Sequence, residues 1–241
     1  MITRLLAERD YQIRVVPQAA VQEPALDALA LLISFHFEAC REFLHHMRGE
    51  MRDNPGFHVC LEGMSGAQVI LLRNLCSLFR SNGLLEYYRV DTVSERIVGA
   101  VANDKRAFQF ISGDWLENAI RVNVSHFLNL DGMPVELVEN VEIRRPDGRN
   151  FELDVVMAID GALYWWEAKC GQYLQSDLNR YRAVAKELGL PRNRALLVLA
   201  EPQLDDTHET VAAHTGMTVL PPDRIAAFTE GIETRHRRQF A

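Results

Sequence analysis

No pair of cysteines stands in C-x-x-C spacing, and neither H-E-x-x-H nor an H-x-E…C-x-x-C pattern occurs among the eight histidines. A glycine-rich phosphate loop is missing as well. These absences remove zinc ribbons, zincin proteases, zinc deaminases and P-loop NTPases from the readings. There is no internal repeat and no low-complexity tract, so a solenoid or a disordered linker is excluded. No uninterrupted apolar run reaches the roughly 20 residues that span a bilayer. The opening residues Met1-Ile-Thr-Arg-Leu-Leu-Ala-Glu-Arg-Asp10 lack the apolar core of a signal peptide. The expectation is a cytoplasmic protein, and Cys40, Cys60, Cys76 and Cys170 are read as reduced thiols.

What is present is ordinary in bulk and uneven in detail. A hydrophobic fraction of 48% and a charged fraction of 24% are those of a soluble globular chain, and 241 residues hold one large domain or two small ones. The net charge of −7 argues against a protein that coats nucleic acid by charge alone. Residues 169–194 run the other way, with Lys169, Arg180, Arg182, Lys186, Arg192 and Arg194 against Asp177 and Glu187. Such a run is either a solvated helix face or a place for a phosphate backbone.

The first hundred residues alternate between strand and helix patterns. Residues 11–16 alternate as a strand closed by Pro17, and residues 24–52 read as one long helix with Leu26, Leu29, Ile33, Phe37 and Cys40 at helical spacing. His36 and Cys40 make at most half a zinc site, and a packed helix explains them better. Residues 57–61, 66–82 and 84–90 then read as β-loop-helix-β, which implies a parallel pair with a right-handed crossover. The whole is expected to be a small Rossmann-like layer over residues 1–104. Its loop, with Gly63, Ser65 and Gly66 before a helix N-terminus, is a natural place for an anion or nucleotide. The same loop carries Glu62 and no lysine, so its affinity for phosphates is expected to be poor.

The stretch Phe151–Cys170 carries the chemistry. Asp160-Gly161 is a strong two-residue hairpin signal between β-branched and aromatic runs. With that turn, cross-strand partners put Asp154 opposite Glu167 and Glu152 opposite Lys169, all four on one face. Two opposed carboxylates destabilise a sheet unless something binds both, and Mg²⁺ or Mn²⁺ prefers such oxygen donors. Lys169 adds an ammonium that could orient water or stabilise charge on a phosphorane. A cross-strand Glu152–Lys169 salt bridge on a surface hairpin is the alternative, and it leaves Asp154 and Glu167 uncompensated. Upstream, Ser112-Gly-Asp-Trp-Leu-Glu117 marks a helix start, where Glu117 serves either as an N3 cap three residues after Asp114 or as a metal or water contact. Downstream, Ser176 is a candidate N-cap for a helix over 176–188, and Gln172, Gln175 and Tyr181 are candidate substrate contacts. A buried strand over 194–200 follows, then a helix at 206–214, a strand at 217–220, a helix at 222–230 and a frayed basic tail at 235–238.

Asp154 followed by Glu167-Ala168-Lys169 resembles the PD-(D/E)XK phosphodiesterase signature. More narrowly, Gly-x-Trp-Leu-Glu, then Glu-Leu-Asp, then Glu-x-Lys resembles the nuclease domain of CRISPR-associated proteins that pair it with a Rossmann-fold (CARF) sensor. The resemblance covers residues 108–200. It implies a restriction-endonuclease-like αβββαβ core over residues 105–241, preceded by a shortened, degenerate sensor. It further implies Mg²⁺- or Mn²⁺-dependent cleavage of DNA or RNA in prokaryotic antiviral defence. In that reading Asp154 and Glu167 are metal ligands, Lys169 and Glu117 are catalytic, and Glu152 and Gln172 give support. Gly63, Ser65 and Gly66 would form the loop that contacts a cyclic oligoadenylate, and the protein would be a homodimer. A catalytically silent nucleic-acid-binding or assembly module, or a restriction or repair nuclease, are the alternatives.

Overall fold

The computed structural model describes residues 1–9, 11–15, 23–50, 56–127, 135–145, 148–203 and 206–239. Pro17, residues 53–55 and residues 146–147 lie outside them. The chain divides into two compact units, residues 23–118 and residues 1–22 with 119–241. That division departs from a boundary at 104/105 at both ends. The N-terminal residues join the second half of the chain because Ile2, Leu5, Leu6 and Tyr11 are buried in its core, and the Tyr11 hydroxyl donates to Glu187 at 3.0 Å.

In the unit of residues 23–118, the expected long helix is two, α2 (Pro24–Phe35) and α3 (Phe37–Glu50), broken at His36. Cys40 is buried among core residues, as a packed helix requires and a zinc site does not. Strand β2 (Gly56–Cys60) leads through the glycine loop to α4 (Gly66–Ser81), then β3 (Leu85–Asp91) and β4 (Arg96–Val101). The expected neighbouring parallel pair does not form. Strand β4 lies between β2 and β3 and runs antiparallel to both, so the order is β2-β4-β3 and the Rossmann-like pairing is absent from this sheet. Gly99 of β4 makes that possible, since a Cβ there would sit 2.7 Å from the Phe57 ring and from the Tyr87 carbonyl oxygen.

The helix expected to start at Ser112 starts earlier. Asp104 caps α5 (Lys105–Gln109), its carboxylate accepting from Ala107 N–H at 2.8 Å. The helix then widens into a π turn over Phe110–Asp114 and continues as α6 (Trp115–Phe127). Ser112, Gly113 and Asp114 are therefore helix interior, and the reading of Glu117 as an N3 cap does not hold.

In the other unit, α1 (Ile2–Ala7) and β1 (Gln12–Val15) precede β5 (Val135–Arg144), β6 (Asn150–Ile159), β7 (Ala162–Lys169), α7 (Gln175–Glu187), β8 (Ala195–Leu199), α8 (His208–Thr215) and β9 (Thr218–Leu220). A short 3₁₀ turn leads into α9 (Ile225–Gln239), which is helical where a frayed tail was expected. The six strands form one mixed sheet in the order β1-β5-β6-β7-β8-β9. Its first three pairings are antiparallel, while β7-β8 and β8-β9 are parallel. Asp160 and Gly161 both take positive φ (47° and 74°), as a two-residue hairpin turn matched to strand twist demands. All five residues of β8 are buried, as in a parallel strand covered on both faces. Helix α7 covers one face with Leu178, Tyr181, Val184, Ala185 and Leu188. On the other face Trp166 meets Phe228 of α9 edge to face, and Tyr164 bonds the buried His236 at 2.9 Å.

Candidate active site

The β6-β7 ladder follows the expected register from Ile159↔Ala162 to Val155↔Trp166 and ends there. One residue further on, the Asp154 carboxylate accepts a hydrogen bond from Ala168 N–H at 2.7 Å, so the side chain fills the place where a ladder bond would have been. Glu152 turns to the other neighbour and pairs with Glu142 of β5. The expected cross-strand Glu152–Lys169 pair is thus corrected: the ladder stops three residues short of it.

The stop coincides with a change of face. On the α7 side, the core takes Phe151 and Leu153 from β6 but also Val156 and Ala158, two residues of each parity. A regular strand shows one parity per face, so alternation is reset between Leu153 and Val156, at Asp154.

Asp154 lies within electrostatic reach of Lys169 and of Arg180 of α7, and Tyr181 of α7 within reach of both Asp154 and Glu167. Burial pushes the Asp154 carboxyl up to about 7. The Ala168 N–H works against that rise, the Glu152 charge adds to it, and the charges of Lys169 and Arg180 oppose it. Glu167 is buried, paired in register with Leu197 of β8. Tyr181 is 2% exposed and packs edge to face on Phe151 and Trp165, so it is core and not the substrate contact its position suggested. Its hydroxyl is raised well above the usual phenol range, by burial first and then by the carboxylates of Glu167, Asp154 and Asp177. Arg180 lies over the Phe151 and Tyr181 rings at 5.4 and 5.8 Å and bonds Asp177 at 3.2 Å, with half of its side chain in solvent.

The remaining expected residues have other roles or places. Helix α7 starts at Gln175 and not after Ser176, because the Asp177 carboxylate accepts from Leu174 N–H at 2.9 Å. Gln175 bonds His214 of α8 at 2.8 Å, and Gln172 is exposed on the turn before the helix. Arg194 lies over Tyr164, on the sheet face opposite α7, so the basic run does not form one patch. Glu117 sits in the first turn of α6, within the 23–118 unit. In the glycine loop, Ser65 N–H donates to the Gln68 side chain at 2.9 Å while the Ser65 hydroxyl accepts from Gln68 N–H at 3.3 Å. That capping box takes the Ser65 N–H, one of the donors this loop is expected to offer a ligand.

The donor set suits a hard cation. Among the described residues no three histidine, cysteine, aspartate or glutamate side chains converge as a ready cage. Two carboxylates from adjacent strands remain, which is the sparse protein share typical of Mg²⁺ sites, where water and substrate phosphate complete the shell.

Neither a protein-family model nor a protein of curated function matches the sequence. Solved structures match the fold. Protein VC1899 from Vibrio cholerae superposes with a TM-score of 0.60 at 19% identity, over 98% of this chain and 61% of that one. Can2 from Sulfobacillus thermosulfidooxidans, solved in complex with cyclic tetra-adenylate, superposes with a TM-score of 0.61 at 15% identity, over 95% of this chain and 59% of that one. The chain shares its fold with both. It spans about three-fifths of the length of each.

Proposed function

We propose that the protein is a divalent-metal-dependent nuclease of the PD-(D/E)XK type, acting in prokaryotic, CRISPR-associated defence. The observation that carries this reading is the convergence of Asp154, Glu167 and Lys169 at the point where the β6-β7 ladder opens. The element order from α6 through β5, β6, β7 and α7 to β8 supports a restriction-endonuclease-like αβββαβ core. The fold shared with Can2 supports the biological setting.

Each residue has a task in hydrolysis, in which a water oxygen bonds to phosphorus, the bridging P–O bond breaks and the leaving oxygen takes a proton. Asp154 and Glu167 would hold Mg²⁺ or Mn²⁺, which when bound supplies a Lewis acid and a more acidic water. Ala168 N–H fixes the Asp154 carboxylate so that it need not reorganise. Lys169 holds the attacking water and offsets negative charge as it develops. Arg180 adds a second cation, already flat against two rings, for a neighbouring phosphate oxygen. Hydrolysis of labelled DNA and RNA in Mn²⁺ is the test. A silent module of the same fold would bind such substrates and leave them whole.

The 23–118 unit supports no sensing role in this reading. With the Ser65 N–H engaged in the α4 capping box and Glu62 in the same loop, cyclic tetra-adenylate is expected to leave the cleavage rate unchanged. A clear rise in rate when the nucleotide is titrated into the assay contradicts this. The unit is instead the expected seat of a homodimer. Ile70 and Leu78, 60% and 40% exposed, stand about two turns apart on α4 with Asn74 and Ser77 between them, and C2 pairing would cover both. Light scattering at micromolar concentration should read twice the 27.4 kDa chain mass, and a monomer overturns the assignment.

A further inference from the structure

Asn140 is the one residue inside a strand, among those described, whose backbone is left-handed, with φ 51° in the middle of the ten-residue β5. L-residues avoid that region, and asparagine enters it more readily than most. No turn or inserted residue calls for it. The pairs on either side, Glu139↔Val155 and Val141↔Leu153, keep one register, so the ladder skips a single level and resumes without a shift. The skipped level is Asn140 opposite Asp154.

At that level both strands change faces. On β5, Val141 and Ile143 belong to the α7-side core and Val138 packs against the same core, so parity is reset across Asn140 as it is on β6 across Asp154. Two strands that turn over together keep their mutual hydrogen bonds on either side. They also leave Asp154 with no ladder partner, its carboxylate directed to the Ala168 N–H of β7. The adjacent Glu139 is held by Arg121 of α6 at 3.1 Å, which anchors β5 beside the turnover.

We infer that Asn140 is a positioning residue of the active site: its left-handed backbone delivers Asp154 to Ala168, beside Glu167. The inference rests on the proposed nuclease reading for its consequence but not for its geometry. Local strain kept at one cross-strand level, and only where a functional carboxylate stands opposite, is the pattern expected of a site-shaping residue.

Two variants separate backbone from side chain. Asn140→Gly keeps the left-handed conformation accessible, whereas Asn140→Ala disfavours it. Hydrogen exchange at the Ala168 amide reads the Asp154 hydrogen bond directly, with Asp154→Ala as the unprotected control. Asn140→Gly should exchange like the parent protein and retain Mn²⁺-dependent cleavage. Asn140→Ala, with its melting transition still cooperative, should expose the Ala168 amide by roughly 10-fold and lose cleavage to a similar degree. Parent-like protection in Asn140→Ala overturns the inference, as does loss of protection in Asn140→Gly. If the parent protein cleaves nothing, the nuclease reading fails while the exchange comparison still decides the role of Asn140.

Discussion

Alanine in place of Glu167, Asp154 or Lys169 is expected to lower Mn²⁺-dependent cleavage by at least about 100-fold each, without unfolding the protein. The three losses have different causes. Glu167→Ala and Asp154→Ala each remove one of two carboxylates available to the cation, so occupancy falls. Lys169→Ala leaves the carboxylates and removes the ammonium that steadies the water and the developing charge. Stability should move the opposite way for the acids. Asp154 is held above its ordinary range by burial, and removing either acid relieves the repulsion between two carboxylates that both act on Tyr181, so each costs folding energy in the metal-free protein. Melting temperatures of the metal-free Glu167→Ala and Asp154→Ala proteins should therefore equal or exceed the parent value. A cooperative transition with lost cleavage is the expected pair of results. Loss of cleavage with loss of the transition would reduce these residues to a structural role.

Acidity should control the site through Asp154. Its ordinary value is 3.8 and the fold raises it to about 7, so between those limits the unfolded chain is ionised at this residue and the folded chain is protonated. The unfolded state then binds fewer protons than the folded state, and stability of the metal-free protein falls as pH rises from about 4 to about 7, with no further change from this group above that. A divalent ion needs the carboxylate, so its binding below pH 7 must displace the proton. Calorimetric titration of Mn²⁺ at pH 6 in two buffers of different ionisation enthalpy should show release of close to one proton, shrinking toward zero at pH 8. Cleavage at fixed, subsaturating Mn²⁺ should climb steeply over the same interval. Binding without proton release at pH 6 would mean that Asp154 is not a ligand.

The hairpin was legible because its turn is chemically explicit. Asp160-Gly161 accepts two positive φ values, and from that turn the register counts correctly through Trp166. Counting failed at Asp154, since nothing in the residue pattern announces that Asn140, on the neighbouring strand, is left-handed. A cross-strand cause of that kind has no local signature. The same limit explains Tyr181, whose spacing with Leu178, Ala185 and Leu188 marks a core stripe as well as a site edge. It also explains β4, which inserts between the two strands expected to pair. Residues 1–15 belong to the other half because their partners are distant in sequence, Arg144 opposite Gln12 and Glu187 bonded to Tyr11 across 176 positions. The helix before the core was misplaced for a more readable reason: Asp104 is a good cap, but Gly113 and Asp114 imitate a helix start inside a π turn.

The most direct measurement is hydrolysis of end-labelled single- and double-stranded DNA and RNA by the parent protein and by Glu167→Ala, purified identically, with Mn²⁺ and with chelator. The parent protein in Mn²⁺ should cut at least one of the four substrates, while the chelated sample and the Glu167→Ala sample leave all four intact. Equal product from parent and Glu167→Ala, or none from the parent on any substrate, would contradict the assignment of Asp154, Glu167 and Lys169 as a nuclease centre.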